Sequence, residues 1–530
     1  MSAALQPLYP DPPADVRPLR LRVQLGITQG PGWLAAALRE LGQLAGIDCR
    51  FERGPAGALP PGLGLRLYQG LERRLLGSLA PVLARQSLLP PGQFLAETED
   101  TDELDLLLRI GCAPATPADL GRARAVLAFE PEECCPLRGQ AWLLPDFRAG
   151  AEVTRFGLYL LDERAGRRLL LEPIQAASAQ LLFARHRALQ LQKVPALLRR
   201  MLRRLQRGEA LLHSAAPKPA AMPLRSLPAQ ALRLGLRGLR RRWPRRGRVE
   251  CWRLALRTEA PLLDPEAPSL QAAVLVDPPP GEFWADPMPW VESGRRVVYF
   301  EALDYASGRG DIRVLELDAE GRAGPPRPAI AEPWHLSYPQ PFAWQGQLHL
   351  LVESTAARRI GLYRCAQFPD RFEPVAALFE GRRVVDATVH RQGSRWWLFA
   401  AVNESPFDDG DREWDALFLF SAESPLGPWQ PHPANPICTD VRGARPAGPL
   451  FEHGGRLIRP GQDCSGEYGR AVIFHEVLEL DPQRYRERAL QRLDADWAPG
   501  QSGCHTYARH GSLEVVDGKF LAPSSQAQAR

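Results

Sequence analysis

The chain has 530 residues, 24% of them charged, with a formal net charge of only +5. That length allows about two to four domains, and the small net charge excludes a whole-molecule polyanion binder. Lysine occurs only at Lys193, Lys218 and Lys519, so arginine supplies nearly all of the 66 basic residues. Such a bias, beside abundant Ala, Leu and Pro, reflects GC-rich bacterial coding and weakens any argument from arginine alone.

Nine cysteines form no C-x-x-C pair, and the adjacent Cys134 and Cys135 fit no zinc spacing. No metal and no cofactor are expected. The opening MSAALQPLYPDPP has neither a basic n-region nor an apolar h-region, and no run of about eighteen apolar residues occurs. A soluble, cytoplasmic protein is the expectation.

In chain order, strands and helices alternate first. LRLRVQLGI (19–27) reads as a strand, GWLAAALRELGQLAG (32–46) as a helix and DLLLRIG (105–111) as a buried strand. ADLGRARAVLAF (118–129) gives helix then strand, so residues 1–209 read as an α/β domain with a mostly parallel sheet. No G-x-G-x-x-G follows the first strand, which leaves dinucleotide binding without support.

Residues 210–249 contain no acidic side chain and read as a Pro/Arg-rich basic linker. Within it Leu232, Leu236, Leu239 and Trp243 recur at helical spacing among arginines. Two readings stand: an interdomain helix with its leucines on a neighbour, or peripheral contact of 225–248 with an anionic membrane. Nucleic acid is not expected, because no stacking aromatics alternate with the arginines.

From residue 250 to 520 the pattern becomes short strands parted by Gly, Asp and Pro, and 521–530 reads as a disordered tail. One unit recurs: ADPMPWVESGRRVVYFEA (285–302), SYPQPFAWQGQLHLLVES (337–354), VDATVHRQGSRWWLFAAV (385–402), RPAGPLFEHGGRLIRPGQD (445–463) and CHTYARHGSLEVVDGK (504–519). Each has a polar start, a strand, a Gly-centred turn and a second strand with a polar end. The starts at Asp286, Tyr338, Asp386, Arg445 and His505 lie roughly 50–60 residues apart, the period of a four-stranded propeller blade. Five copies predict a five-bladed β-propeller.

In a propeller those starts converge on one rim of the central channel. Asp286, Ser337, Tyr338, Asp386, Arg445 and His505 should therefore meet, ringed by Glu301, Glu353, Asn403, Gln462 and Asp463. Carboxylates at equivalent places predict a binding or catalytic pocket. Trp284, Trp290, Trp334 and Tyr338 are candidates to stack on sugar faces, and Arg445 or Arg459 to hold a phosphate bidentately.

FWADPMPW, HLSYPQPF, VVDATVHRQGSRWWLFA, GPLFEHGGRLIRPGQDC and GCHTYARHG resemble the N-terminal propeller domain of glucosamine inositolphosphorylceramide transferases. The resemblance covers roughly residues 275–520. That domain is in turn similar to five-bladed furanosidases and arabinosidases, whose first blade offers an Asp in a D-P step. The resemblance implies Asp286 as that residue, with Asp386 and Glu353 as further catalytic candidates. The rim placement adds Trp284, Ser337, Tyr338, Arg445, Asp463 and His505 as expected substrate contacts. The second blade departs from those glycosidases, opening on Ser337-Tyr338-Pro339 without their Asp, and the third opens on Asp386 where they carry Glu.

The first half resembles formyltransferases of the methionyl-tRNA type, through ELDLLLRIG (103–111), LRG (137–139) and RHRALQLQKVPALLRRMLRRL (185–205). That family's Asn and His are absent from VLAFEPEECC (126–135), and Asp162 matches its Asp only loosely. Formyl transfer and a folate cofactor are not expected. The function implied is carbohydrate-active: a pocket that binds a sugar or glycolipid and supports glycosyl transfer or hydrolysis in glycan assembly. The alternative is a non-catalytic glycan-binding scaffold with a pseudoenzyme formyltransferase-like domain.

Overall fold

A computed structural model of the chain describes residues 5–12, 16–57, 63–76, 81–89, 103–129, 140–216, 218, 220–221, 223–242, 245–258, 261–270, 273–407 and 414–527. The chain divides into two units. One holds Asp11–Arg240 with Glu404–Asp411, the other Met1–Pro10, Arg241–Asn403 and Arg412–Arg530.

The first unit is built on a seven-stranded mixed sheet. Strands Ile47–Arg53, Leu19–Leu25, Leu104–Ile110 and Ala123–Phe129 run parallel, and Val153–Asp162, Arg167–Ala177 and His213–Ala215 complete it antiparallel. Leu21, Val23 and Leu25 are buried, as are Leu106, Leu107 and Leu108; continuous burial marks strands covered on both faces. The helix Val194–Gln206 buries Val194, Leu197, Leu198, Met201 and Leu202 at helical spacing.

DLLLRIG therefore lies inside the sheet, and VLAF forms the next strand as far as Phe129. The remainder of VLAFEPEECC, the LRG turn and Trp243 lie outside the described residues. Asp162 caps a hairpin, its Oδ1 accepting the N–H groups of Arg164 at 3.1 Å and Ala165 at 3.0 Å.

The expected linker at 210–249 is structured over much of its length. His213–Ala215 adds an edge strand against Leu169–Leu171, and Leu227–Arg242 is a helix. Leu227 and Leu234 pack on the core of the sheet, which orders what composition alone marks as a joint.

The second unit is a propeller of five blades. The first four are Glu282–Ile330, Ser337–Leu378, Val384–Pro431 and Arg445–Leu493, each an antiparallel sheet in chain order. The fifth pairs Leu513–Pro523 with Arg248–Arg257, a strand from the start of the unit, and so closes the ring non-locally. Tight turns such as Ser293-Gly294 and Gln345-Gly346 have positive φ at both residues, the geometry that matches strand twist.

Two termini depart from the sequence expectation. Residues 5–10 belong with the propeller: Leu8 and Tyr9 are buried in its core, and Asn435 donates to the Leu8 carbonyl at 3.1 Å. The tail at 521–530 begins as ordered backbone, because the last strand reaches Pro523 and a 3-10 turn follows over Ser524–Ala527. The carbonyl of Gln526 in that turn accepts the N–H of Gly281 at 2.6 Å.

Candidate functional site

The site begins with one backbone irregularity repeated in three blades. Ala285, Ser337 and Val385 pair with Glu301, Glu353 and Ala401, and pairing resumes only at Met288, Gln340 and Thr388. The residue after each break, Asp286, Tyr338 or Asp386, has φ of 52°, 51° or 52°. Left-handed backbone costs a non-glycine residue roughly 1–2 kcal/mol, so something must hold it.

What holds it is a carboxylate. The N–H of Asp286 donates to Asp517 Oδ2 at 3.2 Å, and that of Tyr338 to Asp286 Oδ2 at 3.2 Å. The N–H of Asp386 donates to Glu353 Oε2. Each acceptor comes from the blade before, so the carboxylates join neighbouring blades. Tyr338 adds a further link: its hydroxyl lies 2.8 Å from Thr388 Oγ1 and accepts the N–H of Gly448 at 2.7 Å.

The predicted rim residues do converge. His505 closes the ring, with Nε2 3.4 Å from Asp286 Oδ1 and Nδ1 2.5 Å from Asp517 Oδ2. Thr506 Oγ1 donates to Asp286 Oδ1 at 2.8 Å, and Ser337 Oγ to Glu353 Oε1 at 2.8 Å. Asp386 binds the Arg445 guanidinium through Nε and Nη2, and Gln462 Nε2 at 2.8 Å.

Charge is unbalanced at this hub. Asp286, Glu301, Glu353, Asp386 and Asp517 are buried, against Arg445 and His505. Burial pushes the Asp286 carboxyl up to about 6, with His505 opposing and Asp386 and Asp517 adding to the rise. Burial raises Glu301 well above the usual range, reinforced by Asp286, to which it is also hydrogen-bonded. Glu353 is raised by burial and by Asp386, with Arg445 opposing. For His505 burial works against the charged ring, yet Asp517 and Asp286 outweigh it and the value rises.

Asp286, His505 and Asp517 have ligand atoms within 4.8 Å of one another, the one group of metal-site make-up among the described residues. Their oxygens are already engaged by backbone N–H groups, the Thr506 hydroxyl and the His505 ring. The His505 ring stands between the two carboxylates, where a cation would otherwise sit.

Beside His505 stands an aromatic group that sequence reasoning missed. The Trp252 ring lies 4.1 Å from the His505 ring, Tyr468 lies 5.2 Å from His505, and Trp414 lies 6.0 Å from Tyr468. Arg445 sits over Tyr468 at 5.0 Å, and Lys519 donates to the Tyr468 carbonyl at 2.6 Å. Tyr468 and Trp414 are half-buried and so reach the surface. Thr506 and Asp517 were missed with them.

Other predicted residues stand elsewhere. Trp284 is a core residue, packed on Phe300 at 5.0 Å with Nε1 bonded to Glu282. Trp290 stacks on His510, and Trp334 lies under Arg359. The Tyr338 ring is buried in the core. Asp463 is committed to Arg492 at 3.0 Å and the Ser465 N–H at 2.9 Å. Arg459 is buried and held by Glu487 at 2.7 and 2.8 Å, which leaves no fork for a phosphate. Asn403 is not the third ring member: the register places Ala401 there.

Comparison with known proteins bears on the propeller. Residues 266–516 match the family model described as glucosamine inositolphosphorylceramide transferase 1, N-terminal. Glucosamine inositolphosphorylceramide transferase 1 of Oryza sativa subsp. japonica is 35% identical over 212 residues, 39% of this chain and 28% of that relative. Its namesake in Arabidopsis thaliana is 31% identical over 211 residues, 39% of this chain and 27% of the relative. The chain thus matches less than a third of the length of these curated relatives. Among solved structures, a GH43 beta-xylosidase/alpha-arabinofuranosidase from a compost microbial metagenome covers 46% of this chain and 93% of its own, at TM-score 0.35 and 14% identity. The propeller of this chain is similar to the N-terminal region of the glucosamine inositolphosphorylceramide transferases.

Proposed function

We propose that the propeller recognises the sugar portion of a glycolipid and serves its glycosylation. The observation that carries this reading is the aromatic and cationic rim of Trp252, Tyr468, Trp414, Arg445 and Lys519 beside a buried hub of carboxylates. Tyr468 and Trp414, partly exposed beside the buried Trp252, Arg445 and Lys519, make a surface suited to an amphipathic ligand. The names of the relatives supply the ligand class, a glycosylated inositolphosphoryl lipid. On this reading Asp286, Glu353 and Asp386 shape the rim by locking blades, and the rim touches the sugar.

A second reading rests on one observation, the carboxyl pair of Asp286 and Glu301. Burial raises Asp286 to about 6 and raises Glu301 well above the usual carboxylate range, a direction suited to groups that exchange a proton nearer neutral pH. Transfer or hydrolysis at the hub would use them as acid and base.

One experiment separates the two. Binding of nucleotide-sugars, free glycans and an inositolphosphoryl glycolipid is measured by calorimetry for wild type, Tyr468→Ala and Glu301→Gln, with turnover followed in parallel. The recognition reading expects binding to fall about tenfold or more in Tyr468→Ala and to persist in Glu301→Gln. Turnover by wild type that Glu301→Gln abolishes without weakening binding would establish the second reading in its place.

A further inference from the structure

Two helices of the first unit turn leucines outward. In Leu227–Arg242, Leu232, Leu236 and Leu239 are 65%, 48% and 55% exposed. In Leu63–Leu76, Leu63, Leu67 and Leu71 are 55%, 53% and 55% exposed. Both sets repeat every three or four residues, so each forms one stripe along its helix. Single exposed leucines are ordinary; two ordered stripes on one unit are not.

The stripes are fixed by what faces inward. The longer helix buries Gln230 and packs Leu227 and Leu234 on the core. Arg237 anchors it by donating to the carbonyls of Phe147 at 3.1 Å, Arg148 at 2.9 Å and Gln180 at 3.4 Å. The other helix buries Tyr68 and Glu72. Glu72 accepts the N–H groups of Phe183 at 2.6 Å and Ala184 at 2.9 Å, the start of the helix Phe183–Leu191. The Phe147 and Phe183 rings are 5.1 Å apart. The two anchoring points are therefore neighbours.

Charge identifies the occupant. Residues 210–249 hold no acidic side chain, and arginines stand at 225, 233, 237, 240, 241, 242, 245, 246 and 248. Arg233 and Arg240 are exposed beside the leucine stripe, as is Arg66 on the second helix. Apolar stripes edged by arginines match a surface with a hydrocarbon interior and anionic headgroups. No helix among the described residues is long and apolar enough to cross a membrane. The geometry points to the exposed face of the helix Leu227–Arg242 lying on an anionic lipid bilayer, its leucines in the headgroup boundary and its arginines on the phosphates. This inference stands on the helices and is independent of sugar binding by the propeller.

The test is co-sedimentation of the full chain with vesicles of phosphatidylcholine alone and of phosphatidylcholine mixed with phosphatidylserine. Binding to the mixed vesicles, weakened by salt and absent on phosphatidylcholine, is expected. The triple variant Leu232→Ser, Leu236→Ser, Leu239→Ser should bind about tenfold more weakly or worse, with unchanged melting because those side chains are exposed. Binding of the triple variant equal to wild type, or no binding of wild type to either vesicle, overturns the inference. So does light scattering that shows a wild-type oligomer dissolved by the same substitutions, since the stripe would then be covered by a second copy.

Discussion

The carboxylate of Asp286 accepts the backbone N–H of Tyr338 at 3.2 Å, joining the first blade to the second. The same bond runs from Asp286 back to Asp517 of the last blade, and from Asp386 to Glu353. Three left-handed residues are thus held by three buried acids. A strand gains nothing from a charge in its core; here the charge accepts the N–H that the kinked strand can no longer give to its neighbour.

Neutralising these acids should destabilise the fold unequally. Asp386→Asn leaves the buried Arg445 without its counter-charge, a loss of about 3–5 kcal/mol. Asp286→Asn keeps one oxygen for two donors, Tyr338 N–H and Thr506 Oγ1, a loss of about 1–3 kcal/mol at neutral pH. Chemical denaturation of both variants checks the order, and equal or negligible losses would count against blade locking.

Tyr338→Phe isolates a single bond. The ring stays in the core and only the hydroxyl is lost, which strands the N–H of Gly448, while Thr388 keeps its bond to the Asp386 carbonyl at 3.1 Å. Unsatisfied buried groups of this kind cost about 1–3 kcal/mol. A midpoint unchanged from wild type would mean that water or a backbone shift satisfies Gly448.

The period, the turns and the convergence of Asp286, Asp386, Arg445 and His505 were legible because strand alternation is local. The partners were not. Trp252 reaches His505 only because Arg248–Arg257 closes the last blade across more than 250 residues, a pairing no local pattern records. Trp284 and Trp252 look alike in sequence and both are buried; one packs on Phe300 within its blade, and ring closure sets the other beside His505. Asn403 was misplaced by two residues because the third blade carries alanine, Ala401, where the same register places Glu301 and Glu353, and Asn403 is the next polar residue. Arg459 appeared available because its partner, Glu487, lies two strands away within the same blade.

The pH dependence follows from the raised values. Asp286, lifted to about 6, keeps a proton in the folded state that the unfolded chain releases near pH ~4. Its contribution to stability is therefore full below that pH and is lost as pH rises through about 6. His505 is raised and acts in the same direction. His186 and His475, each pushed down to about 4 by burial, act in the opposite direction. Comparing Asp286→Asn with wild type cancels the His186 and His475 contributions, while that of His505, raised in part by Asp286, falls in the variant in the same direction. The deficit of the variant should be larger at pH 5 than at pH 8 in paired melts. A larger deficit at pH 8 would mean that Asp286 is charged throughout.

The last prediction concerns the first unit. Arg109, 1% exposed, donates to Glu163 at 2.9 and 2.8 Å and to Gln24 at 2.7 Å. Arg109 and Gln24 lie at the carboxyl ends of adjacent parallel strands, where open α/β sheets keep their ligand crevice. In this chain an ion pair fills that place. Glu163→Gln should cost about 1–3 kcal/mol by leaving Arg109 only Asp119 at 3.7 Å as counter-charge, and Arg109→Met added to it should restore part of the loss. The same filled crevice, together with the missing Asn and His, leads us to expect no formyl transfer. An assay with a folate formyl donor and amino-sugar acceptors checks this directly. Transfer by wild type that is lost in the double variant would make Arg109 and Glu163 parts of a working site rather than a plug.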